Sequence, residues 1–156
     1  MFRRHTERYH TDLFNQETFD KPFLRDLHYC RESLVIESPF IRLKRVEALM
    51  PVLSKLRQRD VEVVINTRNP IEHDYEYQLQ AEETIAMMQD IGIRVLYTTK
   101  HHRKLAIIDR SIFWEGSLNI LSFYDSCEIM RRTASAPDAE MLIKFIGLQK
   151  YLQQAS

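Results

Sequence analysis

The sequence lacks several features that mark specialised classes of protein. It has only 2 cysteines in 156 residues, Cys30 and Cys127, too few for the disulfide framework of a small secreted protein. We interpret both as buried, reduced thiols. No apolar run approaches the roughly 20 residues that span a bilayer. The opening MFRRHTERYH contains no apolar core of a secretory signal. These absences predict a cytoplasmic protein without membrane insertion.

A strong net charge is also absent. Lysine plus arginine and aspartate plus glutamate both number 22, so the formal net charge is +0. This balance excludes a global basic field that would attract nucleic acid, and any polyanion must be bound by local basic clusters. One such cluster contains Lys100, Arg103 and Lys104. The hydrophobic content of 44% and the charged content of 28% are typical of a globular protein.

Alternating helical and strand patterns predict an α/β fold. The stretch RLKRVEALMPVLSKLRQRD has helical spacing of its apolar residues, whereas SLVIESPF and VEVVINT are short β-branched runs. We expect Asp20 to cap the first helix and Pro51 to kink or restart the second. No linker, repeat or low-complexity tract is visible. The sequence therefore predicts a polar, irregular N-terminal segment, 1–17, and one domain, 18–156, with a mixed, mostly buried sheet flanked by helices on both faces.

The stretch KHHRKLAIIDRSIFWEGSLN frames an apolar strand with reactive polar groups. On a strand, His102 and Lys104 point to one side and Arg103 to the other. A histidine beside a fixed cation suits a phosphodiester, because attack at phosphorus builds up negative charge. A histidine that attacks through one nitrogen needs its other nitrogen protonated and held by a carboxylate. Asp109 and Glu128 are the candidates for that carboxylate.

The residues after this strand form a second polar group. Gly116-Ser117-Leu118-Asn119 supplies a small residue for a tight turn, then a hydroxyl and an amide, which together predict a phosphate-binding turn. Two alternatives stay open: Asp109 instead closes its own turn by binding backbone amides, and Ser117 shapes the turn without touching phosphate. The pair His101-His102 does not predict a metal site, because no cluster of cysteine and histidine completes a ligand set.

The complete pattern, His-x-Lys, four residues, Asp, six residues, Gly-Ser-x-Asn, resembles the signature of the phospholipase D superfamily, with every position and gap matched. The resemblance implies a phospholipase D/nuclease-like sandwich and a phosphohistidine intermediate on His102. It implies no metal or other cofactor. The catalytic residues implied are His102, Lys104, Asp109, Asn119 and Glu128, and the substrate-binding residues are Lys104, Ser117, Asn119, Gly116 and Arg103. One departure is Asp60, at a turn where relatives often have glycine.

The chain contains one copy of a motif that the family uses in pairs. The resemblance therefore implies a homodimer with one shared catalytic centre. The predicted function is that of an endonuclease or other phosphodiesterase acting on DNA, with RNA as a second substrate, in the bacterial cytoplasm. Stretches similar to GSLNILSFYDSCEIMRR accompany DNA helicases and ATPases, so a helicase or ATPase is a candidate partner. Two alternatives remain: a phospholipase or phosphatidyl transferase, and a non-catalytic nucleic-acid-binding module of a helicase or restriction system.

Three residues outside the motif have open roles. Phe113 and Trp114 could stack on bases of a single strand, but an aromatic pair in a β-hairpin is more often part of the core. We interpret both as core residues. Arg68, after a predicted strand, either touches a phosphate flank or is a solvated loop residue.

Overall fold

Strands and helices alternate along the chain, of which the computed structural model describes residues 10–122 and 125–152. The strands are β1 (His10–Asn15), β2 (Ser33–Glu37), β3 (Glu62–Thr67), β4 (Arg94–Tyr97), β5 (Leu105–Ile108), β6 (Ile112–Gly116) and β7 (Ile129–Ala134). The α-helices are α1 (Asp20–Tyr29), α2 (Leu43–Gln58), α3 (Tyr75–Asp90) and α4 (Ala136–Ile146), and Pro70–Glu72 and Gln149–Tyr151 are short 3₁₀ helices.

The strands form one mixed sheet in the order β1-β7-β6-β5-β2-β3-β4. Strands β2, β3 and β4 run parallel to one another, whereas β5, β6, β7 and β1 continue the sheet by antiparallel pairing. The predicted mixed sheet is confirmed. Helices α1, α2 and α3 bury one face of it and α4 buries the other, which also confirms the predicted helices on both faces.

The two faces of the sheet contribute to two separate apolar clusters. Leu34, Ile36 and Trp114 pack with α1 to α3, whereas Val35 and Ile107 pack with α4. Successive side chains of a strand point to opposite faces, so a strand buried on both sides needs an unbroken apolar run. This explains the runs in β2 and β5 that sequence inspection identified.

Trp114 belongs to the core, as expected. Its side chain is fully buried, and its indole Nε1 donates a hydrogen bond to Asp26 Oδ2 at 2.8 Å. Phe113 is buried on the opposite face. Neither ring is available to stack on a base. In the part of the chain that the structure describes, no helix is long and apolar enough to cross a membrane.

The N-terminal part of the prediction needs correction. Residues 10–15, assigned to an irregular segment, form the edge strand β1, which pairs antiparallel with β7; residues 1–9 lie outside the described residues. A polar edge strand with one face in solvent lacks the apolar run that identifies buried strands. Asp20 does not cap α1: the cap position is Phe19, and Asp20 pairs with Arg45 at 2.7 Å.

Of the two outcomes expected at Pro51, a restart does not occur, because α2 continues through this residue. The expectation for the cysteines holds for one of the two. Cys127 is exposed, whereas Cys30 is buried as predicted. The Cys30 thiol donates to the carbonyl oxygen of Ser33 at 3.3 Å. Burial, followed by the nearby charge of Asp109, raises the pKa of the Cys30 thiol.

Two of the turns with left-handed backbone conformations involve residues discussed above. Asp60 has φ of 59°. Aspartate is among the few non-glycine residues that tolerate this conformation. Asp109 and Arg110, with φ of 53° and 52°, form the predicted turn between β5 and β6, where such angles match the twist of the paired strands.

Candidate active site

The segment immediately before β5 brings His102 and Lys104 together. Lys104 Nζ lies 3.3 Å from Nδ1 and 3.4 Å from Nε2 of the His102 ring. The same ammonium donates to the backbone carbonyl of His102 at 2.9 Å. Residues 101–104 precede the strand, so the alternation of side chains along a strand does not by itself bring His102 and Lys104 together. The contact between Lys104 and the His102 carbonyl also holds the two side chains in place. His102 is exposed and Lys104 is partly buried, so the pair faces solvent.

The charge of Lys104 disfavours protonation of its neighbour His102. It lowers the pKa of His102 below its ordinary value, with smaller effects from desolvation and from the charge of Arg68. Desolvation also lowers the pKa of Lys104, while the carboxylate of Glu128 opposes that shift. The arrangement favours an unprotonated imidazole beside a cation, which is the state a nitrogen nucleophile requires.

A cleft of about 370 Å³ has Phe40, Asn119 and Glu128 in its wall. His102 and Lys104 do not line this cleft, and its link to them is the charge of Glu128, which acts on Lys104. The Oδ1 atom of Asn119 is buried and has no hydrogen-bond partner among the described residues. A buried acceptor without a donor costs about 1–3 kcal/mol, and such unsatisfied groups are uncommon outside functional sites. Glu128 accepts a hydrogen bond from Ser126 at 2.9 Å. Its charge reaches Lys104, but within the described chain its carboxylate makes no hydrogen bond to His102.

A buried ionic group lies behind the His102 segment. The side chains of Glu37 and His101 are both 0% exposed, and His101 Nε2 lies 2.5 Å from Glu37 Oε2. Arg103 donates to the same carboxylate through Nε at 2.6 Å and Nη2 at 3.0 Å. Residues 101 and 103 are therefore fixed to the end of β2, while His102, between them, projects outward.

A protein-family comparison decides the classification. The family described as "Cardiolipin synthase, PLD-like domain" matches residues 23–145.

The chain belongs to the phospholipase D-like family.

Solved structures share its fold. Nuc from Salmonella typhimurium, a phospholipase D family member, has a TM-score of 0.70 at 16% identity, and the match covers 88% of this chain and 91% of that chain. NucT from Helicobacter pylori also gives 0.70, at 17% identity, covering 88% and 92%. Phosphatidylserine synthase from Haemophilus influenzae gives 0.69 at 11% identity, covering 92% of this chain and 38% of that chain. No curated protein sequence matches the chain.

The phospholipase D-like signature residues do not all converge in the structure. Asp109 lies at the far end of β5 from His102, where its carboxylate accepts the backbone N–H groups of residues 31–33. These contacts favour the structural alternative for Asp109, in which its carboxylate binds backbone amides, over a direct catalytic role. Arg103 pairs with Glu37 and points away from His102, which argues against the predicted substrate contact.

The Gly-Ser-x-Asn segment is attached to β7. Ser117 Oγ accepts the N–H of Ile129 at 3.0 Å, and Ser117 N–H donates to the carbonyl of Ile129 at 2.9 Å. Ser117 therefore shapes the turn. Gly116 does not adopt the left-handed conformation of a tight turn; it is required by close approach, since a Cβ there would lie 2.1 Å from the carbonyl oxygen of Ile129. The segment presents Asn119 to the cleft.

Sequence inspection missed the role of Glu37. The available signal was a carboxylate inside an otherwise apolar strand, LVIE, where a charge must find a partner. The partners were unpredictable because they come from a loop 64 residues later. Within residues 10–122 and 125–152, no group of three or more histidine, cysteine, aspartate and glutamate side chains is arranged to hold a metal ion.

Proposed function

We propose that this phospholipase D-like protein is an endonuclease that hydrolyses DNA phosphodiester bonds, with RNA as a second substrate, through a phosphohistidine at His102. The observation that carries the proposal is the exposed His102 ring with the Lys104 ammonium 3.3 Å away. A neutral imidazole can attack phosphorus, and the adjacent cation stabilises the negative charge that builds on the phosphoryl oxygens. This charge stabilisation by Lys104 and Asn119 is the basis for proposing a metal-independent reaction.

The reaction has two displacements. In the first, a ring nitrogen of His102 forms a bond to phosphorus, the bond to the leaving oxygen breaks, and a second histidine donates a proton to that oxygen. In the second, the same histidine removes a proton from water, the water oxygen bonds to phosphorus, and the nitrogen–phosphorus bond breaks. The products are free His102 and a phosphate monoester, so atoms and protons balance.

The second histidine is proposed to come from another copy of the chain. Among the described histidines, His101 is engaged by Glu37 in the interior, so it cannot serve as the proton donor. A two-fold pairing of the site would place two His102 rings face to face. The comparison supports a compact single-motif format, because nearly the whole length of Nuc and NucT is matched.

A lipid phosphodiesterase or phosphatidyl transferase is the alternative, because phosphatidylserine synthase shares the fold. That protein's chain is much longer, and only 38% of it is matched. Its likeness therefore supports the chemistry of the domain rather than a lipid substrate for this chain. Delivery of nucleic acid by a helicase or ATPase remains part of the proposal.

The proposal is tested by incubating the protein with plasmid DNA, single-stranded DNA, RNA and phospholipid vesicles, all in the presence of a chelator. We expect cleavage of nucleic acid by the wild type, loss in His102→Ala, and retention in His28→Ala, which replaces an exposed histidine on α1. Acid-labile, base-stable labelling of His102 by a ³²P-labelled substrate should reveal the intermediate. Turnover of lipid alone, or binding of DNA without cleavage, would reject the nuclease assignment.

The shared centre is tested by mixing subunits. When wild type is mixed and re-equilibrated with excess His102→Ala, activity should fall as the square of the wild-type fraction, because only dimers with two intact histidines act. A linear fall would show that each chain works alone. Sedimentation at the assay concentration provides the independent measure, and a fully active monomer would contradict the dimer.

A further inference from the structure

Arg68 is fixed next to the reactive histidine. Its Nε donates to the backbone carbonyl of His101 at 3.2 Å, one residue before His102. Its guanidinium carbon lies 5.7 Å from the centre of the Phe40 ring, a cation–π distance. Phe40 in turn belongs to the wall of the cleft that contains Asn119. Arg68 is therefore a positioned, half-buried cation between the His102 segment and the cleft, not a solvated loop residue.

The charge of Arg68 is not balanced by a carboxylate. Two other partly buried arginines are paired with carboxylates, Arg132 with Asp26 and Arg45 with Asp20, whereas Arg57 donates to two backbone carbonyls. Arg68 has no carboxylate within 4 Å among the residues that the structure describes. Its charge also contributes to lowering the pKa values of His102 and Lys104. Like charges held together are unfavourable unless the site receives an anion.

The position of Arg68 separates it from the scissile phosphate. Lys104 contacts His102 directly, whereas Arg68 is anchored one residue away through the His101 carbonyl. Its planar guanidinium suits two-point binding of phosphate oxygens. The Phe40 ring contacts the guanidinium and also belongs to the cleft wall, so it connects Arg68 to the cleft.

We propose that Arg68, supported by Phe40, binds the phosphate next to the scissile one, so that the site selects a strand of consecutive phosphates over an isolated diester. This inference rests on the proposed function, and it assigns nucleic acid as the substrate class of the same site. An isolated phosphatidyl diester has no second phosphate to occupy this subsite.

The test compares two substrates, a single-stranded oligonucleotide and bis(4-nitrophenyl) phosphate, at about pH 8, well above the ordinary histidine pKa. For Arg68→Ala, the ratio of kcat/KM for the oligonucleotide to that for the small diester should fall about tenfold, the value of one charged hydrogen-bonded contact. Arg68→Lys should recover part of the loss, because lysine keeps the charge but lacks the planar guanidinium that binds two phosphate oxygens. Arg31→Ala, an exposed arginine near Asp109, is the matched control and should leave the ratio unchanged.

Binding provides a readout that does not depend on turnover. In the His102→Ala background, Arg68→Ala should weaken oligonucleotide binding and reduce the salt slope by about 0.7, as expected for one lost phosphate contact to a single strand. An equal loss on both substrates would place Arg68 at the scissile phosphate, and no loss on either substrate would remove it from binding; either overturns the inference. If the wild type cleaves neither substrate, the proposed function fails, while the binding result still decides the role of Arg68.

Discussion

The carboxylate of Asp109 accepts the backbone N–H of Glu32 at 2.7 Å, at the end of β5 remote from His102. It also accepts the N–H groups of Arg31 at 3.0 Å and Ser33 at 3.2 Å. One side chain therefore satisfies three backbone donors where the chain enters β2, and joins the β5–β6 turn to that strand. The aspartate of the signature maintains the sheet that carries the site.

Replacing Asp109 should mainly affect stability. Asp109→Ala removes the acceptor for three backbone donors, and we expect the free energy of unfolding to fall by about 2–4 kcal/mol. Urea denaturation measures this value. Asp109→Asn keeps one carbonyl oxygen and should lose less. A variant as stable as the wild type but inactive while folded would return Asp109 to a catalytic role.

Lys104 should control the titration of His102. Because the ammonium lowers the pKa of His102, Lys104→Met should raise that pKa toward its ordinary value. The imidazole is then protonated up to a higher pH, and the acidic limb of the pH–rate profile moves upward. NMR titration of the His102 ring measures the shift even if the variant is inactive, with Lys44→Met as a control on an exposed lysine of α2. A pKa that falls or stays constant would contradict this prediction.

Glu37 should couple stability to acid pH. Burial raises its pKa, but the hydrogen bonds from His101 and Arg103 outweigh burial and lower it below the ordinary 4.5. A group with a lowered pKa stabilises the fold above its unfolded pKa, and that contribution is lost as pH falls through the folded value. Glu37→Gln should therefore cost about 2–3 kcal/mol near neutrality, and the difference from wild type should shrink below about pH 4.5. Denaturation across pH measures this, and a constant difference would reject it.

The features predictable from sequence were those that depend on local pattern. The apolar runs of β2 and β3 need only local periodicity to be identified, and the fixed spacing of His102, Lys104 and Asn119 identified the family. The strand β1 was missed because its pairing with β7 leaves a polar face in solvent. An apolar pattern with a period of 2 or 3.6 residues arises where one face of a strand or helix is buried. An exposed edge strand buries few side chains and therefore shows little of this pattern.

The unpredicted parts of the site depend on contacts between distant segments. Glu37 and His101 meet because β2 and β5 are neighbours in the sheet, which no local pattern specifies. Arg68 acquires its position through the His101 carbonyl, a backbone contact without a sequence signature. Asp109 has the correct spacing for a catalytic residue, yet spacing does not reveal which end of the strand faces the site.

Gly116 should tolerate no side chain. It closes β6 opposite Met130, and a Cβ would lie 2.1 Å from the Ile129 carbonyl oxygen and 2.9 Å from the Met130 Cα. Both are backbone atoms, so the neighbouring strand would have to move. Gly116→Ala should therefore destabilise the protein by about 3 kcal/mol, the upper range for overpacking, and displace Asn119. The matched control is Gly147→Ala, where no atom lies within 4 Å of a Cβ but φ is 74°, so that only backbone strain, about 1 kcal/mol, applies. Thermal and urea denaturation measure both values, and equal losses would show that close packing is not what requires glycine at position 116.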